Sequence, residues 1–155
     1  MPTAMTFSVL LVGVTILVHY EALRLISGYL LPWLTMVRPR GRIVFVLMGV
    51  FAAHSVEVYI YAVGYWLIEI IGAGVGGAAL AHFDGRPVGD FTSLLYFSSV
   101  TYTSLGFGDI VPVGSARLVS GVEALNGLLM IGWSASFTYL CMEKLWPLHG
   151  SHGRR

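Results

Sequence analysis

Three stretches of this chain are too long and too apolar to be buried by a soluble domain of its size. Residues 4–23, 43–74 and 116–145 each reach the ~20 mostly apolar residues that a helix needs to cross a hydrocarbon core. The whole chain has 155 residues, of which 56% are hydrophobic and 11% charged. Its mean hydropathy is +0.77. An average soluble domain carries about 25% charged residues and leaves roughly a third of its unfolded surface wet. The composition excludes intrinsic disorder. A net charge of +1 with no basic stripe gives nucleic acid nothing to bind. What remains is one small integral membrane domain. Cys141, the single cysteine, reads as a small buried side chain.

A fourth apolar stretch, FTSLLYFSSVTYT at residues 91–103, is too short to span. Asp90 before it is a good N-cap. A helix of this length enters a membrane and returns only where protein surrounds its non-helical part. The expected order is span, span, re-entrant half-helix, span: an all-α membrane protein. Residues 25–36 either extend the first span or lie in the interface. Arg24, Arg38, Arg40 and Arg42 follow the first span, and Lys144, Arg154 and Arg155 follow the third. By the positive-inside rule those segments are cytoplasmic. The N-terminus is then outside and the C-terminus cytoplasmic, and the half-helix opens outward. No basic region precedes the first apolar run, so a cleaved signal peptide is not expected.

The chemistry is concentrated just after the half-helix, in Thr103-Ser104-Leu105-Gly106-Phe107-Gly108-Asp109. Gly106 and Gly108 alternate with larger residues, and glycine enters positive φ at little steric cost. Alternating backbone handedness turns successive carbonyls toward one side. Copies arranged around an axis would form rings of carbonyl oxygen that replace the water shell of a cation. The Ser104 hydroxyl would add a ring at the inner end. The half-helix would aim its partly negative C-terminus at the membrane centre, which favours a cation there. A glycine-rich turn between two helices is the plainer reading of the glycines alone. One chain cannot close such a ring, so the mechanism requires a symmetric assembly of copies.

TSLGFGD, with a short helix before it and Pro112 and a long helix after it, resembles the pore of tetrameric potassium channels. The family pattern is T-x-G-[YF]-G-[DN]. The likeness covers roughly residues 43–145 and is nearest to small bacterial channels with two pore-forming helices, here with one extra N-terminal span. It implies a homotetramer in the bacterial inner membrane, surrounded by lipid, with potassium as the permeant ion and no cofactor. Carbonyls of Ser104, Leu105, Gly106 and Phe107 would hold potassium, with Gly108 completing the filter. Thr103, Asp109, Tyr96 and Phe97 would support it, the two aromatics as a cuff. Gly127 and Gly132 fall where relatives bend the inner helix, or else permit close helix approach. Leu128, Ile131, Ala135 and Tyr139 share a face and would line the inner cavity. The implied divisions are an N-terminal span and basic loop at 1–42, a pore module at 43–145 and a short tail at 146–155. His149 and His152 in that tail are metal-capable, though a disordered tail is the plainer reading.

Four departures from the family pattern bear on selectivity. Ser104 stands for threonine and lacks the methyl that stiffens χ1. Leu105 stands for a β-branched residue. Val100 stands where some relatives carry a glutamate that pairs with the Asp109 equivalent, so the filter must be braced otherwise. Phe107 lacks the tyrosine hydroxyl. Together they suggest a softer filter, and they keep a non-selective cation pore open as the alternative. A non-conducting subunit with a pore-like fold is a further one.

Ionisable residues inside the spans are costly and normally face protein or water. His54 and Glu57, three apart, fit half of a metal site or a hydrogen-bonded clamp between helices. Glu69, Glu123 and Asn126 are further examples. Glu123 is expected to brace the back of the filter, to pair with Arg117 of a neighbour, or to sense protons. His19, Glu21 and Arg24 read as interfacial anchors. No span carries arginine every third residue, so no voltage sensor is expected. Gly106-Phe107-Gly108-Asp109 also fits the G-x-G-D signature of intramembrane aspartyl proteases. That chemistry needs two paired carboxylates, and Asp84 and Asp90 both precede the half-helix, so an enzyme is not expected.

Overall fold

The computed structural model describes residues 2–34, 39–73, 80–82 and 88–145. Helix α1 (Pro2–Leu25) continues through a π-helical turn, Ile26–Leu30, into a last helical turn, α2 (Leu31–Trp33). Helix α3 is Pro39–Ala73, the half-helix α4 is Phe91–Tyr102 and α5 is Ala116–Leu145. Among the described residues, three helices are long and apolar enough to cross a membrane: Thr3–Trp33, Gly41–Ile71 and Ala116–Leu145. The chain is an all-α multi-pass membrane protein. Residues 25–33 extend the first span rather than leaving it. The tail at 146–155, with His149 and His152, lies outside the described residues, as do Arg38, Asp84 and Arg86.

Length and apolarity put these helices in lipid, and small residues decide how they meet. Lipid tails are as apolar as leucine, so helices associate through close packing and interhelical hydrogen bonds. A Cβ on Gly49 would lie 3.0 Å from Ile26 Cδ1, and one on Gly64 would lie 3.0 Å from Leu11 Cδ1. The two glycines thus let α1 lie close along α3. Leu11, Tyr61, Tyr65, Leu94, Phe97, Tyr102, Val119 and Met130 form one apolar core where α1, α3, α4 and α5 meet. A second cluster of Leu23, Ile26, Leu34, Val46, Val50 and Cys141 closes the other end. Cys141 is buried there, as its apolar setting in the sequence suggests.

Strand β1 (Leu80–His82) pairs antiparallel with β2 (Ile110–Pro112), setting Leu80 opposite Pro112 and His82 opposite Ile110. Three-residue strands are too short to show a period of two. The pairing ties the segment after α3 to the segment after the glycine motif.

Candidate ion-conduction site

Asp90 starts the site. It is extended (φ −119°, ψ 141°), and its carboxylate accepts from the Ser93 backbone N–H at 2.8 Å and the Ser93 hydroxyl at 2.9 Å. A helix start leaves N–H groups unpaired, and a side-chain acceptor satisfies them. The α4 sequence is rich in serine, threonine and aromatics, which have modest helix propensity, so the cap carries unusual weight. Replacing it, Asp90→Ala, should cost about 1 kcal/mol. Thermal unfolding in detergent checks this, and an unchanged midpoint would contradict it.

The half-helix stops where Ser104 turns left-handed. Ser104 has φ 58°, Gly106 φ 59° and Gly108 φ 80°, with no positive φ at Leu105 or Phe107 between them. This is the alternation that the glycine spacing suggested, and it begins one residue earlier, on a serine. A β-branched threonine would be strained at positive φ, whereas serine enters that region more easily. The loop is pinned at its inner end by the half-helix. Leu105 N–H and Gly106 N–H both donate to the Val100 carbonyl, at 2.9 and 3.3 Å, and Ser104 N–H donates to Thr101 O at 2.9 Å. Thr103 Oγ1 donates to Ser99 O at 2.8 Å. Val100 thus holds the loop through its main-chain oxygen rather than through its side chain.

The other end also meets α4: Tyr96 lies beside Asp109 and feels its charge. Both border a small pocket of about 240 Å³ with Gly106, Gly108 and Val111. Tyr96 therefore meets the motif directly. Phe97 turns inward, is buried, and packs edge-to-face on Tyr65, with ring centroids 5.2 Å apart. Leu105 and Phe107 are 58% and 64% exposed, so the loop presents apolar surface.

Behind α4 lies Glu123, with no exposed surface. Its carboxyl accepts from the Ser98 hydroxyl and from the Tyr65 hydroxyl, each at 2.5 Å. Ser98 also reaches the Val58 carbonyl at 2.9 Å. Glu123 thus joins α5, α4 and α3, and within the subunit it braces the half-helix. Gly127 comes closer still: a Cβ there would lie 2.0 Å from the Tyr102 carbonyl oxygen. The last turn of α4 rests on bare α5 backbone at that point. Gly132 has no atom within 4 Å of its would-be Cβ. Leu128, Ile131, Ala135 and Tyr139 are exposed in the subunit.

The polar residues of the first span differ from the sequence expectation. His19 is not an interfacial anchor. It is fully buried, with Nδ1 2.7 Å from Glu57 Oε1 and Nε2 3.2 Å from Ser134 Oγ. The helix runs on to Trp33, which places His19 well inside the bundle, whereas Glu21 and Arg24 pair at an exposed surface at 3.1 Å. Asn126 donates to Thr15 at 2.8 Å. His54 Nδ1 lies 2.9 Å from the Tyr102 hydroxyl and 3.3 Å from Glu57 Oε2, and Tyr102 also bonds Glu57. Sequence separation hid these contacts, since they join residues as much as 115 positions apart.

A protein-family profile described as "Ion channel" matches residues 65–144, which includes the last nine residues of α3, all of α4, the glycine loop and nearly all of α5. Among curated proteins, Protein LctB of Geobacillus stearothermophilus is 31% identical over 70 residues, 45% of this chain and 52% of that protein. The match thus spans about half the length of that relative. No solved structure matches. A capped half-helix returning through a left-right alternating loop to the last spanning helix is the part of the molecule that the profile covers: this chain belongs to the ion-channel family.

Proposed function

We propose that four copies of this chain form a passive, potassium-selective channel. The observation that carries the reading is the run of φ values at Ser104, Gly106 and Gly108, separated by residues without positive φ. Such a backbone faces successive carbonyls one way, as rings of carbonyl ligands need. Carbonyls of Ser104, Leu105, Gly106 and Phe107 would replace the water around potassium, with the Ser104 hydroxyl at the inner end. Asp109, beside Tyr96, would stand at the outer mouth. Ions would pass in single file down their electrochemical gradient, and repulsion between neighbouring sites would speed their exit. The pore needs no cofactor. We place the N-terminus outside and the C-terminus in the cytoplasm of a bacterial inner membrane, from the arginines after the first span and the basic tail.

The serine works in two directions. Losing the threonine methyl loosens χ1, while the left-handed backbone is easier for serine than for threonine. A pore that passes sodium as readily as potassium is the second reading, and Ser104 is the residue that would cause it.

Liposomes holding the purified protein and loaded with potassium test the proposal. Potassium should leave when a protonophore balances the charge, and rubidium should exchange. Gly106→Asp should abolish the flux, because a side chain at φ 59° is strained and would displace the carbonyls on either side of it. Flux that survives this substitution would show that ions do not pass at Gly106.

A further inference from the structure

The strongest group of ligand-type side chains outside the candidate pore is His19, His54 and Glu57. Their ligand atoms all lie within 4.8 Å of one another. From this juxtaposition we propose a divalent transition-metal site, of the zinc class, that fastens α1 to α3 and to the end of the half-helix.

The donor set is two imidazole nitrogens and a carboxylate, with the Tyr102 hydroxyl on a fourth side, 2.9 Å from His54 Nδ1 and bonded to Glu57. Imidazole and carboxylate are ordinary zinc ligands, and four-coordinate geometry is the norm for closed sites. Bonds of ~2.0 Å in a tetrahedron place ligands ~3.3 Å apart. The two histidines meet different oxygens of Glu57, His54 Nδ1 at 3.3 Å from Oε2 and His19 Nδ1 at 2.7 Å from Oε1, so the side chains would have to shift for one oxygen to serve with both.

His19 is also oriented from behind. Its Nε2 lies 3.2 Å from Ser134 Oγ. When Nε2 carries the proton and donates it to the serine, the Nδ1 lone pair faces the cluster. Metal-bound histidines are commonly held by such an outer hydrogen bond. Charge points the same way. The Glu57 carboxylate supplies negative charge to offset a divalent ion in a bundle interior, where an uncompensated charge is costly. On binding, the proton between His19 Nδ1 and Glu57 leaves to water, His54 takes the tautomer with its proton on Nε2, and the two Nδ1 lone pairs and the carboxylate go to the ion. Access exists on one side: His54 borders a cavity of about 450 Å³ that Ser99, Tyr102 and Thr103 also line. Tyr102 lies two residues before Ser104, so the ion would hold the half-helix at the point where the loop begins.

The test uses the full-length protein in nanodiscs, with His149→Ala and His152→Ala so that the tail cannot bind. After removal of metal with chelator, zinc is titrated back and metal per chain is measured. We expect one ion per chain, and a loss of affinity of at least tenfold in both His19→Ala and His54→Ala. His54→Cys, which keeps a ligand, should retain binding. Cobalt in place of zinc should give the visible absorption of a tetrahedral site. This measurement on protein with His19, His54 and Glu57 intact stands even if an alanine variant fails to assemble. No stoichiometric zinc with no such cobalt spectrum, or binding indifferent to both alanine substitutions, would overturn the site and leave a hydrogen-bonded clamp. Zinc content is independent of potassium flux, so either proposal can fail alone.

Discussion

Gly127→Ala should cripple the protein more than any other single methyl added to α5. The new Cβ would lie 2.0 Å from the Tyr102 carbonyl oxygen and 2.9 Å from its carbonyl carbon. Those are backbone atoms, not the far end of a flexible side chain, so relief requires moving the last turn of α4 or bending α5. Overpacking of a well-filled interior costs about 1–3 kcal/mol, occasionally more, and rigid backbone on both sides puts this case at the upper end. Ser104 follows Tyr102 by two residues, so the displacement passes straight to the glycine loop. We expect a thermal midpoint lowered by several degrees and little or no ion flux. Gly132→Ala is the matched control, because nothing lies within 4 Å of its added Cβ. It should leave the folded subunit intact, and any effect on flux would report on bending of α5. Equal stability of the two variants would remove the close approach from the account.

Glu123→Ala should be the next largest loss. Its carboxyl is the acceptor for both Ser98 and Tyr65. Ser98 keeps the Val58 carbonyl, but the Tyr65 hydroxyl is stranded in a fully buried position. An unsatisfied buried polar group costs about 1–3 kcal/mol, and the emptied space adds to it. Hydrogen bonds between membrane helices average only about 0.6 kcal/mol, so we expect a total of about 2 kcal/mol. Glu123→Gln keeps one acceptor oxygen and the shape, and should lose about half as much. Unfolding midpoints in one detergent order the three proteins. A glutamine variant as unstable as the alanine variant would mean that the carboxyl, and not the bonding, is what matters.

The parts of this molecule visible in the sequence are those set by local physics. Apolar length gave three spans, and Ala116–Leu145 falls where the apolar run does. Asp90 ahead of a short apolar run marked the half-helix, and its carboxylate caps Ser93. Alternating glycines foretold positive φ at Gly106 and Gly108, but Ser104 was not readable because a non-glycine residue at positive φ has no sequence mark. The interior polar contacts were hidden for a different reason. His54–Glu57 is a helix-spaced pair that a sequence shows, yet its third member, His19, sits 38 residues from Glu57. Two residues beyond it, Glu21 gave that stretch the look of a helix end at the membrane surface. The close approach at Gly127 depends on the path of α4 over α5, which no local pattern encodes.

The reversal potential of the reconstituted channel tests the proposed potassium-selective filter at residues 104–108 most directly. With potassium on one side of a planar bilayer and sodium on the other, a selective pore should reverse far from zero, in the direction set by potassium alone. Ser104→Thr should shift that value little. A reversal potential near zero, with sodium carrying current as readily as potassium, would contradict the claim.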